Sequence, residues 1–294
     1  MKSKLLVVLL IAVLLFPQVT AQAQSSDPRQ MGSQIVARAK IWVDNKVLYN
    51  QGAYRDGYRT DCSGFASYAW QVKKSNGQSD NPDGIRLAND YGVNISFSSL
   101  QPGDIINNMR QGNSGHVVIF VRWITTGSKF EAYEENAYYG KAVGTTLTLE
   151  SLKSGGATIK EYEPYAPGPY YAYRYKNIPG FANVVNGLSL SSYSPRVGEY
   201  ITASFTIRND GGQTIYVAQL TAGTRGPGAN SKGWGAPVVD FPTIKNITLQ
   251  PGQTYFYSQS RSFSNAGDYF AEPVKDQNGW GGIYPWPRQY FSVR

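Results

Sequence analysis

The 294-residue sequence contains a single cysteine, Cys62, and a single histidine, His116. One cysteine excludes an internal disulfide and any multi-cysteine zinc site. No other set of residues suggests a metal or organic cofactor, and none is expected. Basic residues outnumber acidic ones by 8, yet no lysine/arginine cluster stands out. A nucleic-acid footprint is normally a concentrated basic patch, so a nucleic-acid partner is not expected. Beyond the first residues no apolar stretch is long enough to span a bilayer. Internal repeats and low-complexity tracts are also missing.

What is present begins with an export signal. Lys2 and Lys4 precede an apolar run from Leu5 to Phe16, followed by "VTAQAQ". A charged start, a short apolar run and small residues form a secretory leader. Residues 1–23 are expected to be removed after Ala23, with Ala21 as the alternative. No cysteine follows the apolar run, which excludes a lipoprotein anchor. Removing Lys2 and Lys4 leaves 26 basic and 20 acidic side chains, a charge of +6. That charge suits an anionic envelope polymer as partner, and equally serves solubility. The expected location is outside the cell or on its wall.

About 270 mature residues, rich in tyrosine (22) and glycine (31), suggest two domains built largely from strands and turns. Residues 32–48 show helical spacing at Ile35, Val36, Ala39, Ile41, Trp42 and Val47. Residues 50–60, "NQGAYRDGYRT", are polar and glycine-rich and suggest a loop. Asp61 and Cys62 then open a second helical pattern with Phe65, Ala66, Ala69, Trp70 and Val72 on one face. "LQPGDIINN" reads as a turn into a strand, "GHVVIFVRWI" as a buried strand, "FEAYEEN" as its returning partner and "PYYAYRYK" as a last strand. Helices first and an antiparallel sheet after them give an α+β pattern. Residues 177–187 are a linker candidate. From 188 to 294, alternating segments separated by "NDGG" and "QPGQ" suggest an all-β, immunoglobulin-like sandwich.

The chemistry concentrates on Cys62 and His116. Cys62 lies where a loop becomes a helix, and free N–H groups at a helix start stabilise a thiolate and an oxyanion. Ser63 and Gly64 keep that turn small, and Asp61 and Ser63 flank the thiol as candidate substrate contacts. A buried structural cysteine is the alternative. His116, at the mouth of a strand, can take and return the proton of a thiol. On a period of two, Phe130, Ala132, Glu134 and Asn136 share one strand face. Glu134 and Asn136 are therefore both candidates to orient the imidazole. In the C-terminal part, Trp234, Trp280, Tyr284 and Trp286 could stack on sugar rings or fill a core.

Taken in order, Tyr49, "DCSGF" at 61–65, "LQPGD" at 100–104 and "GHVVIF" at 115–120 resemble the NlpC-type cell-wall cysteine peptidases. The resemblance covers roughly residues 30–176. It implies a papain-like catalytic domain over 24–176, with Cys62 as nucleophile, His116 as base and Tyr49 as an oxyanion donor. Many of those peptidases use a second histidine as the third polar residue, and this chain has none. "YEEN" is closer to the glutamate-x-asparagine ending of the related CHAP amidases. The implied activity is hydrolysis of peptide or amide bonds in peptidoglycan stem peptides through an acyl-enzyme. Two further possibilities share the motifs: an acyltransferase, and an inactive wall-binding or adhesion protein.

Overall fold

The computed structural model describes residues 27–151, 156–228, 237–277, 279–285 and 287–294, without the side chains of Asn113 and Ser151. The expected leader, Trp234 and Trp286 lie outside the described residues.

The chain opens with helix α1, Pro28–Asp44. Asp27 caps it by accepting from the Arg29 N–H, and Pro28 occupies its first position, where a missing N–H costs nothing. Strands β1, Asn50–Arg55, and β2, Tyr58–Thr60, follow as a hairpin. Its turn residues Asp56 and Gly57 both have positive φ, 54° and 84°. An Asp-Gly pair in that conformation is a common way to close a two-residue hairpin. Helix α2, Cys62–Trp70, comes next, and α3 is a single turn, Gly84–Arg86.

Seven strands complete the first half: β3, Gly92–Ile95; β4, Ile105–Asn107; β5, Val117–Thr125; β6, Lys129–Asn136; β7, Lys141–Ser151; β8, Ala157–Ile159; and β9, Tyr171–Tyr175. They form one antiparallel sheet in the order β3-β9-β4-β5-β6-β7-β8. Both faces of the sheet are covered. On one, Ile105, Val117 and Ile119 pack with Ile35, Trp42, Phe65 and Trp70 of the two long helices. On the other, Ile106, Val118, Phe120, Phe130 and Ala132 pack with Tyr162 and Tyr170.

The second half is all strand: β10, Ala182–Leu190; β11, Tyr200–Asn209; β12, Ile215–Arg225; β13, Ile244–Leu249; β14, Thr254–Ser262; β15, Gly267–Asp276; β16, Trp280–Gly282; and β17, Gln289–Val293. A three-stranded sheet, β10-β11-β14, and a five-stranded sheet around β12 and β15 share one apolar core that includes Phe205, Leu220, Tyr257 and Phe291.

This architecture corrects the expected fold class. Among the described residues strands take 47% and helical residues of all kinds 17%, with only three α-helices. It is mostly antiparallel β throughout, and not a papain-like domain of N-terminal helices plus a sheet followed by a separate β class. Part of the difference lies at residues 50–60, where the expected loop is the β1–β2 hairpin. The expected linker also differs. Strand β10 begins at Ala182, and residues 175–181 are bonded to the turn at 209–212: Asp210 N–H donates to the Phe181 carbonyl at 2.9 Å, and Gly212 N–H to the Ile178 carbonyl at 2.8 Å.

Candidate active site

Cys62 is the first residue of α2, and Asp61 is its N-cap. The Asp61 carboxylate accepts from the Gly64 N–H at 2.7 Å, and the Asp61 carbonyl from the Phe65 N–H at 2.8 Å. A helix start leaves the N–H groups of Cys62 and Ser63 without an intrahelical acceptor. Gly64 has a packing role: a Cβ there would lie 2.0 Å from the Arg59 carbonyl oxygen. The glycine thus lets α2 sit directly on β2, which fixes the position of the thiol.

Arg59 braces the same turn. Its Nε donates to Asp61 at 2.7 Å and its Nη2 to the Ser63 hydroxyl at 2.8 Å, while Nη1 donates to the Asn81 carbonyl at 3.0 Å. Asp61 and Ser63, expected to contact substrate, are buried and spend their polar groups on this brace and the cap. They edge the cleft and hold the turn that carries the Cys62 thiol.

His116 immediately precedes β5 and is buried. Asn108 clamps the loop that delivers it: the His116 N–H donates to Asn108 Oδ1 at 2.9 Å, and Asn108 Nδ2 donates to the Ser114 carbonyl at 2.8 Å. The imidazole Nε2 lies 2.7 Å from Glu134 Oε2. Cys62 is close enough to act on the ring's charge, and with Nε2 committed to Glu134, Nδ1 is the nitrogen left to serve the thiol. The Tyr162 ring meets the imidazole edge-on at 4.9 Å and holds its plane. Burial alone would push the imidazole pKa down. The neighbouring Cys62 and Glu134 outweigh burial and push it up to about 10. His116 is therefore cationic at neutral pH, the state that stabilises a neighbouring thiolate.

Glu134 is the group bonded to the imidazole, and Asn136 acts one step behind it. Asn136 Nδ2 donates to Glu134 Oε2 at 2.7 Å, and the Thr145 hydroxyl to Oε1 at 2.7 Å. Burial raises the Glu134 pKa, but the bonds from His116 and Asn136 and the imidazolium charge bring it below the ordinary value. Asn136 also caps the next turn by accepting from the Tyr138 N–H at 2.8 Å. Thr145, Asn108 and Tyr162 carry no sequence motif; only their positions across the sheet bring them here.

Glu135 points to the opposite face of β6, toward α2, and is also buried. Neither carboxyl oxygen has a hydrogen-bond partner among the described residues. Burial, and then the Asp61 charge, push its pKa up to about 8.

Cys62 and His116 open onto a cleft of about 900 Å³ lined by Tyr49, Arg59, Asp83, Arg110, Gly115 and Ala137 among others. Tyr49 is on its wall, and its hydroxyl accepts from Gln51 Nε2 at 3.1 Å. Burial, then Cys62, raise the Tyr49 pKa, so the phenol keeps its proton and can donate it in a hydrogen bond. Trp280 is 55% exposed on the five-stranded sheet of the second half and does not line this cleft. Among the described residues no cluster of three or more His, Cys, Asp or Glu side chains could hold a metal ion. No helix of the described chain is long and apolar enough to cross a membrane.

No family model and no curated protein matches the chain. Among solved structures, several share distant likenesses with the chain. The alkylpurine DNA glycosylase AlkC of Pseudomonas fluorescens is 15% identical over 38% of this chain and 30% of its own, with a TM-score of 0.29. β-Glucosidase 3B of Thermotoga neapolitana is 16% identical over 39% of this chain and 16% of its own, also at 0.29. Ly7917, solved with the hydrolyzing product of MDP, is 12% identical over 89% of this chain and 92% of its own, at 0.30. Similarities this weak carry no argument about fold or activity.

Proposed function

We propose that the protein is an exported thiol hydrolase of the NlpC/CHAP kind, cleaving peptide or amide bonds in peptidoglycan stem peptides. The observation that supports this best is the grouping of Cys62, at a helix start and open to a cleft, with His116, whose ring is hydrogen-bonded to Glu134. It supplies a nucleophile, a proton carrier and an orienter together.

The Cys62 thiolate attacks the carbonyl carbon and forms a C–S bond. The carbonyl electrons move to oxygen, where the Cys62 and Ser63 N–H groups and the Tyr49 hydroxyl stabilise the oxyanion. The intermediate collapses as the C–N bond breaks, and His116 Nδ1 gives its proton to the leaving amine. Neutral His116 then takes a proton from water. The hydroxide attacks the thioester, releases the new carboxylic acid and restores the thiolate–imidazolium pair. Glu134 holds the imidazole in orientation and favours its cationic form throughout. No step requires a metal.

The test is digestion of purified peptidoglycan by the protein beside its Cys62→Ala variant, with products read by mass spectrometry. New stem-peptide or amide fragments from the unaltered protein alone are expected, and their masses identify the bond. Adducts with an added amine in place of hydrolysis products would point to acyl transfer. No fragments from folded, reduced protein would sink the hydrolase reading and favour a binding role.

A further inference from the structure

One feature beside the cleft has no part in the acyl chemistry. After Asn136 the chain turns through Ala137, which lines the cleft, and presents Tyr138 and Tyr139. Tyr138 is 74% exposed, Tyr139 46% and Tyr165 41%. Their rings are in contact: Tyr138 lies parallel to Tyr165 at 5.9 Å and an interplanar angle of 5°, and edge-on to Tyr139 at 5.1 Å. Tyr165 touches Tyr162 at 5.7 Å, and Tyr162 touches His116. A continuous series of rings thus runs from the reacting imidazole to the surface. The Glu134 charge reaches both Tyr139 and Tyr165, adding to burial in raising their pKa.

The platform is fixed in place before any ligand arrives. Asn136 Oδ1 accepts from the Tyr138 N–H, and the Tyr49 N–H donates to the Gly140 carbonyl at 2.9 Å. The turn is therefore tied both to Asn136, which supports Glu134, and to the Tyr49 wall of the cleft. Exposed phenol rings offer a flat apolar face with a polar rim. A pyranose ring has the matching form, one face of C–H groups with hydroxyls around its edge. An aliphatic partner would not use the hydroxyls, and an anionic one would need counter-charges that the three rings do not supply.

We propose that Tyr138, Tyr139 and Tyr165 form a saccharide subsite that seats a sugar ring of the glycan next to the scissile bond. This rests on the hydrolase reading above, because a stem peptide reaches the thiol while still attached to its glycan.

The probe is a tetrasaccharide of β-1,4-linked N-acetylglucosamine, titrated calorimetrically into the purified protein carrying Trp280→Ala, which removes the tryptophan exposed among the described residues of the second half. Saturable binding is expected, weakened about tenfold by Tyr138→Ala or Tyr165→Ala, the scale of one aromatic contact. Tyr138→Phe and Tyr165→Phe keep the ring and are expected to retain most of the affinity. Circular dichroism of each variant checks that these surface changes leave the fold intact. Absence of saturable binding, equal binding by the alanine variants, or preference for a tyrosine-containing peptide over the saccharide would overturn the proposal. Binding does not use the thiol. Saccharide binding without wall digestion would therefore remove the hydrolase reading alone, and digestion without saccharide binding would remove the subsite alone.

Discussion

Glu134 and Glu135 are adjacent carboxylates with opposite electrostatics. Glu134 has three donors and a cation beside it, and ionises readily. Replacing it with glutamine keeps a polar group near Nε2 but removes the charge that stabilises the imidazolium. Glu134→Gln is expected to lower kcat/KM on the order of 10²-fold and to move the alkaline limb of the pH profile below about 10. An unchanged alkaline limb would show that Glu134 does not support the cation. Glu135 has no partner, and its pKa is raised from 4.5 to about 8. Below 4.5 both folded and unfolded chains are protonated there, and ionisation costs nothing. Between 4.5 and about 8 only the unfolded chain releases the proton, so stability falls as pH rises, by at most ~1.4 kcal/mol per pH unit. Glu135→Gln is expected to melt higher than the parent at pH 8, with the gap closing toward pH 5. Equal melting curves at both pH values would count against a buried neutral carboxyl.

At the scale of elements, α2 is held by contacts that leave almost no space. A Cβ at Gly64 would overlap the Arg59 carbonyl, and backbone cannot give way as a flexible side chain can. Gly64→Ala is expected to cost about 1–3 kcal/mol and to shift Cys62 relative to His116. Denaturant melts and thiol alkylation rates would register the two effects, and a wild-type melt with wild-type alkylation would refute the packing argument. Elements also show what the sequence can reveal. Helical spacing located α1 but began it at residue 32, because the Asp27–Pro28 start precedes the first apolar position. The Asp-Gly pair at 56–57 was a hairpin signal, hidden among polar residues that look like loop. Period-two spacing put Glu134 and Asn136 on one face, and they are indeed bonded to each other. The same rule would send Glu135 to solvent, yet α2 covers that face too. A strand buried on both sides cannot be recognised from its own residues, because the covering elements are distant in sequence. For the same reason Asn108, Thr145 and Tyr162 were not legible as site residues.

Across the whole molecule, the two halves meet through backbone. A Cβ on Gly211 would lie 2.1 Å from the Pro179 carbonyl oxygen, and one on Gly212 would lie 2.1 Å from that of Tyr175. The Ser99 hydroxyl also donates to the Gly252 carbonyl at 3.1 Å. Composition suggested a free connection at 177–187, whereas "NDGG" is the surface that grips it. A single cooperative thermal transition is expected by calorimetry. Gly212→Val should split that transition or lower it by several degrees, consistent with about 2 kcal/mol of lost packing. Two independent transitions in the unaltered protein would show that the halves do not support each other.

The single thiol has a further consequence. Cys62 opens on a cleft and has no second cysteine to capture it once oxidised. A sulfenic acid formed there cannot be protected as an internal disulfide. Only a small external thiol able to enter the cleft could restore it before oxidation proceeds to the irreversible sulfinic state. The working life of each molecule would then depend on the oxidant it meets as well as on the stability of its fold.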